Sequence, residues 1–151
     1  MKSFTRKIQA IIFFFLISFF SISCSDSHNL SHVEIDNAYI KLPLKGINSS
    51  AGYLTLKNKS KNSIELSGIS CEASDTSSFH DTYINKYSGM MSMTKLDKLS
   101  IESGYEISFK PGGKHLMIEG LSTAINLGDV ISCTIIFSNA YRLPIEFEIR
   151  K

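Results

Sequence analysis

The chain has 151 residues, 43% of them hydrophobic, with 16 Lys and Arg against 14 Asp and Glu, which suits one domain with an ordinary core. Lys2, Arg6 and Lys7 all precede residue 24, so the remainder carries 13 basic against 14 acidic side chains, a net of −1. A near-neutral domain without a basic cluster is poorly suited to nucleic acid, and that class is set aside.

The first segment reads as an export signal. "MKSFTRK" is a basic start and "IQAIIFFFLISFFSIS" an apolar stretch too short for a comfortable span. It ends at Cys24 in "FFSISC", the place of an acylated cysteine in a lipoprotein precursor, although Ser21 stands where leucine is more usual. Residues 1–23 are therefore read as the signal, with lipidation at Cys24, simple cleavage and an uncleaved anchor all open. Each places the rest in the periplasm or on the outer face of a membrane, touching the membrane only through that anchor. Residues 24–32, with "SDSHNLSH", are a polar tether in which His28 and His32 are solvated.

From Val33 to Lys151 the pattern is short alternating or β-branched runs: "VEIDNAYIKL", "AGYLTLKN", "SIELSGIS", "YEISFK", "KHLMIEGL", "VISCTIIFS" and "LPIEFEIR". "SSFHDTYINKYSG" adds a strand running into a turn, and "SGMMSMTK" a turn running into a strand. Separators such as "KNKSKN", "PGG" and "LGD" are turn formers, and no helical period is sustained. The expectation is one all-β domain, an antiparallel sandwich or Greek-key barrel. Cys71 and Cys133 form no CxxC pair, and Cys133 in "VISCTIIF" resembles an ordinary buried strand residue. Unpaired thiols are expected, with a disulfide as the alternative.

The methionines are unevenly spent. Besides Met1 they are Met90, Met91 and Met93 in one segment and Met117 in the other. Residues i and i+2 share a strand face with Cβ atoms roughly 6–7 Å apart, so His115 and Met117 point the same way. By the same parity Met91 and Met93 share a face and Met90 takes the other. If the strand of His80 and the strand of the methionines form a hairpin, His80 returns toward them. Thioether sulfur and neutral imidazole suit Cu(I) far better than Zn(II), Mg(II) or Ca(II), and a set without thiolate fits neither structural zinc nor blue copper. The bland reading is that methionines fill gaps in the core.

These segments resemble the periplasmic copper chaperones of the PCu(A)C family, over about Val33 to Arg150. The likeness is carried by "DNAYIKLP", "AGYLTLKN", "HDT", "GMMSM", "FKPGGKHLMIEGL" and "LGD". The family's motif is a histidine, ten residues, a methionine, about twenty-one residues, then His-x-Met. Here ten residues separate His80 from Met91 and twenty-one separate Met93 from His115. One methionine cannot satisfy both intervals, as a two-residue insertion in "YINKYSG" would explain. The resemblance implies a cupredoxin-like β-sandwich holding Cu(I) through His80, Met93 or Met91, His115 and Met117, with Met93 slightly preferred. It implies delivery to a copper acceptor, such as another chaperone or the copper A centre of a cytochrome c oxidase subunit, by a monomer that is not an enzyme. A methionine- and histidine-rich tail found in some relatives does not follow "EFEIRK". The "PGG" turn is expected to hold the His115 strand at an exposed sheet edge. Two other readings share the sequence: a copper buffer without a dedicated acceptor, and a metal-free β-sandwich lipoprotein acting as an interaction module.

Overall fold

The computed structural model describes residues 32–122 and 124–151; the signal segment, Cys24 and most of the tether lie outside them. Ten strands follow one another, β1 Val33–Lys41, β2 Ser49–Asn58, β3 Ile64–Cys71, β4 Thr76–Ile84 and β5 Met91–Leu96, then β6 Leu99–Ile101, β7 Glu106–Phe109, β8 His115–Glu119, β9 Val130–Phe137 and β10 Arg142–Arg150. Every segment read as a strand contains one. Only the three-residue β6 was not anticipated, being too short to display an alternation.

The strands join in the order β5-β4-β8-β2-β1-β10-β9-β3-β6, with β7 pairing with β2 beside β8. The expectation of a purely antiparallel arrangement needs one correction: β1 runs parallel to β10, Tyr39 facing Glu148 and Lys41 facing Arg150. The path bends until β3 and β4 lie alongside each other. No ladder joins those two among the described residues, so the sheet is not closed into a barrel.

Alternation decides which face turns inward. In β10 Ile145, Phe147 and Ile149 are buried between exposed neighbours, and in β9 Ile131, Cys133, Ile135 and Phe137 repeat the pattern. Phe79 of β4 and Leu116 and Ile118 of β8 meet this core from the other end of the path, Phe79 packing on Phe109 at 5.3 Å between ring centroids. Each such fully buried side chain contributes roughly 1.5–3 kcal/mol. Asn58 is the one wholly buried amide among them. It donates to the carbonyls of Asn62 (2.8 Å) and Ile101 (2.9 Å) and accepts from the Ser60 amide (2.9 Å), tying β2 to the β6 end.

The expectation of unpaired thiols is overturned. Cys71 of β3 stands directly opposite Cys133 of β9 in the ladder, and the two form a buried disulfide across 62 residues of sequence. The register that brings them together is set by the hydrophobic pattern of both strands at once, and neither cysteine's neighbours reveal it.

Candidate soft-metal site

Strands β5, β4 and β8 are consecutive in the sheet. In the β4–β8 ladder His80 faces His115, and Ser78 faces Met117. In the β4–β5 hairpin His80 faces Lys95, Thr82 faces Met93, and Ile84 faces Met91. Opposed residues share a face, as do alternate residues on one strand. His80, His115, Met117, Met93 and Met91 therefore all belong to one face, the one opposite Phe79 and Leu116. The hairpin expected from the sequence is present, and His80 lies on β4, the middle strand of the three that carry the site.

The two methionines of β5 are not equivalent. Met93 is a diagonal neighbour of His80, one alternation along the ladder, whereas Met91 is two alternations away, at the mouth of the hairpin turn. Met90 precedes the strand, its carbonyl accepting from the Asn85 amide at 2.9 Å. All three are exposed, Met93 at 59% and Met91 at 68%, so none of them fills the core.

The histidine rings approach with centroids 5.9 Å apart. His115 is buried, and its Nδ1 meets the Gly113 carbonyl at 3.0 Å; Nδ1 is then the donor, leaving the Nε2 lone pair free. His80 Nε2 meets the Ser78 hydroxyl at 3.0 Å, while its Nδ1 is buried without any hydrogen-bond partner. A buried polar atom left unpaired is unfavourable by about 1–3 kcal/mol unless something else meets it. Burial, and then the neighbouring His115, hold the His80 pKa below its ordinary value, which favours the neutral imidazole with an available lone pair.

The "PGG" segment has a local role different from the one expected. Strand β2 pairs with β7 through Leu54–Lys57 and with β8 through Ser49–Gly52, so residues 110–114 leave the ladder as an excursion. Lys110 N donates to the Lys114 carbonyl at 2.7 Å and Gly113 N to the Lys110 carbonyl at 3.1 Å, while Gly112 adopts φ 78°, a conformation glycine takes without strain. This excursion delivers the carbonyl that orients His115. The His115 strand is not at a sheet edge: β8 lies between β4 and β2, and the edge strand of the site is β5, which carries Met93. Sequence shows that a turn precedes the strand but not which strands flank it.

Three supporting groups went unrecognised. Ser78 is legible only once "SFH" is known to be strand, since alternation then puts its hydroxyl beside His80. The Gly113 carbonyl has no side-chain signature. Asp81 of "HDT" binds Lys114 at 3.0 Å, clamping β4 to β8 from the opposite face of the histidine pair. Among the described residues no three of His, Cys, Asp or Glu converge on a point. The donor chemistry gathered here is two imidazoles and thioethers, the combination expected for a soft monovalent ion and unsuited to a hard one.

A family model described as "Putative lipoprotein LpqE-like" matches residues 33–149. The chain belongs to the LpqE-like family. A lipoprotein family accords with an exported, membrane-anchored chain. A relative from Leifsonia xyli subsp. xyli, described as a lipoprotein, is 25% identical over 118 residues, 78% of this chain and 69% of that protein. An uncharacterized Rickettsia prowazekii protein is 31% identical over 94 residues, 62% of this chain, which spans about half (51%) of its length. Among solved structures, this LpqE-like chain is similar to a copper-bound PCuAC domain from PmoF2 at a TM-score of 0.64 and 17% identity, covering 79% of this chain and 92% of that one. It is also similar to the Cu(I) form of DR1885 from Deinococcus radiodurans, at a TM-score of 0.61 and 22% identity over 76% of each chain. At these identities the likeness is one of fold: an all-β, multi-stranded, cupredoxin-like sheet.

Proposed function

We propose that this LpqE-like protein is an extracytoplasmic copper chaperone that carries Cu(I) as cargo between a donor and an acceptor, such as the copper A centre of cytochrome c oxidase. The ligands are His80, His115, Met117 and Met93. The observation that carries this reading is the buried, unpartnered Nδ1 of His80, lying beside His115 on the sheet face that also bears both thioethers. The Gly113 carbonyl holds His115 as the Nδ1–H tautomer with Nε2 left as an acceptor, and Ser78, where its hydroxyl accepts from His80 Nε2–H, leaves the Nδ1 lone pair for the ion. Such outer hydrogen bonds set ligand orientation and basicity.

The set is neutral, so it adds no charge that would have to be separated from the ion on release. Its outermost ligand, Met93, is exposed on the edge strand, while the histidines sit within the sheet. Transfer then proceeds from the outside inward: an acceptor's ligand displaces Met93, and the remaining bonds exchange in turn. A buffer would use the same ligands; loss of oxidase assembly on deletion, at ordinary external copper, separates delivery from buffering. The exposure of the β5 methionines disfavours the metal-free reading, in which they would pack into the core.

The test is titration of the protein with Cu(I) under anaerobic, reducing conditions against a chromophoric chelator, beside a His115→Ala, Met117→Ala double variant. One tightly bound equivalent in the parent, lost in the variant and not displaced by Zn(II), is expected. Equal affinity of variant and parent sinks the proposal.

A further inference from the structure

The turn of the β4–β5 hairpin has a composition that the copper site does not require. Between Tyr83 and Met91 the chain reads "YINKYSGMM", with no acidic residue and a single lysine, Lys86. Tyr83, Ile84, Tyr87, Met90 and Met91 are all exposed, Tyr87 completely. A hairpin tip is normally polar, and five large apolar or aromatic side chains standing in water there need an occupant.

The ladder registers show where this tip lies. β4 and β2 are both antiparallel to β8, so they run in the same direction. β2 ends at Asn58, which is paired with Val33, the first residue of β1. The tip and the point where the tether enters the domain therefore belong to the same end of the sheet. Leu44, after β1, belongs to the other end. Residues 25–32 span at most roughly 30 Å even when fully extended. Whether attachment is through Cys24 or through the apolar stretch before it, the tether draws the Val33 end toward the bilayer.

We infer that the tip of the β4–β5 hairpin seats in the interfacial region of the lipid bilayer to which the chain is anchored. Tyrosine is favoured at that depth, with its ring among the acyl boundaries and its hydroxyl in the headgroups, and Lys86 can extend to the phosphates. Ile84, Met90 and Met91 supply apolar area, and a lipid anchor gains from such a second attachment. His80 is four strand residues from Ile84, so the candidate copper face stands about 13 Å above the interface.

This inference does not depend on copper. The chain contains no tryptophan, so Tyr87→Trp introduces a single fluorescent reporter at the tip and Leu44→Trp one at the opposite end. Each full-length variant is reconstituted into vesicles of phosphatidylcholine and phosphatidylglycerol, with or without dibrominated acyl chains as quencher. The tip reporter should emit at shorter wavelength in vesicles than in detergent-free buffer without lipid, and lose most of its emission to the brominated chains. The reporter at position 44 should do neither. Equal quenching at both ends, or none at the tip, overturns the inference. So does a concentration-dependent blue shift without lipid, which would assign the tip to a second copy of the chain. The pattern should be the same with and without Cu(I), so failure of the copper reading leaves it standing.

Discussion

Replacing Met93 by leucine removes one sulfur atom from an exposed side chain while nearly conserving its volume, so the fold is expected to tolerate it. The ladder fixes how much this should matter to Cu(I). Met93 stands one alternation along from His80 on the neighbouring strand, a Cβ separation of roughly 7–8 Å. Met91 is a further alternation away, at roughly 14 Å. An imidazole nitrogen and a thioether sulfur each reach about 2.5–3 Å beyond Cβ, and each bond to the ion adds about 2.0–2.3 Å. The chain of bonds therefore spans at most about 10 Å, which includes Met93 and leaves Met91 out. Loss of even an outer-sphere group costs about 10–100-fold in metal affinity, and loss of a ligand should cost at least that, or about 1.4–2.7 kcal/mol. Met93→Leu is expected to weaken Cu(I) binding by that factor, and Met91→Leu to change it less than about twofold. Competition against a chromophoric Cu(I) chelator, with the two variants titrated in parallel, measures the difference. An equal loss in both variants, or a loss confined to Met91→Leu, would refute the register argument.

His80 is held neutral by burial and by His115, its pKa below the ordinary histidine value. The unfolded chain then binds more protons between that lowered value and about 6.5; this contribution to stability is complete above the upper limit and is lost as pH falls through the window, as urea titrations at several pH values should reveal. Protons compete with Cu(I) for the same nitrogen, so affinity should persist to lower pH than at an unperturbed histidine, and then fall. Reducing the Cys71–Cys133 bond, which spans 62 residues, should cost about 4 kcal/mol by the loop-closure relation, read as a lower urea midpoint in the presence of reductant. Asn58→Ala leaves the Ile101 carbonyl and the Ser60 amide without their partner and should destabilise by about 2–3 kcal/mol in the same assay.

The parts of this fold that could be read from the sequence are those carried by alternation. "IEFEIR" and "ISCTIIF" declare strands and their inward faces without reference to any other segment. Parity alone placed His115 with Met117 and Met91 with Met93, because it is a property of one strand. Pairing is a property of two, and apart from the hairpin that returns His80 toward the methionines no segment announces its partner. Cys71 and Cys133 stand opposite each other through a register that their neighbours do not announce. The "PGG" turn was visible, yet its strand proved to be flanked on both sides. The His115–Gly113 contact uses a backbone carbonyl, which no residue identity encodes. Ser78 could have been found, since Ser-x-His on a strand puts a hydroxyl and an imidazole side by side.

With Met93 as the proposed ligand, the hairpin that carries it also accounts for the mismatch with the ten-residue interval counted from His80. Positions 85–90 form a loop beyond the last paired residues, Ile84 and Met91. Residues gained or lost there change the distance along the chain without moving any rung below. Turn length can therefore change while the residues paired below it keep their faces and their neighbours. In a protein of this build, the equivalent methionine in a distant relative should be located by counting rungs down from the turn, and a motif written as a fixed interval will miss members whose loops have grown.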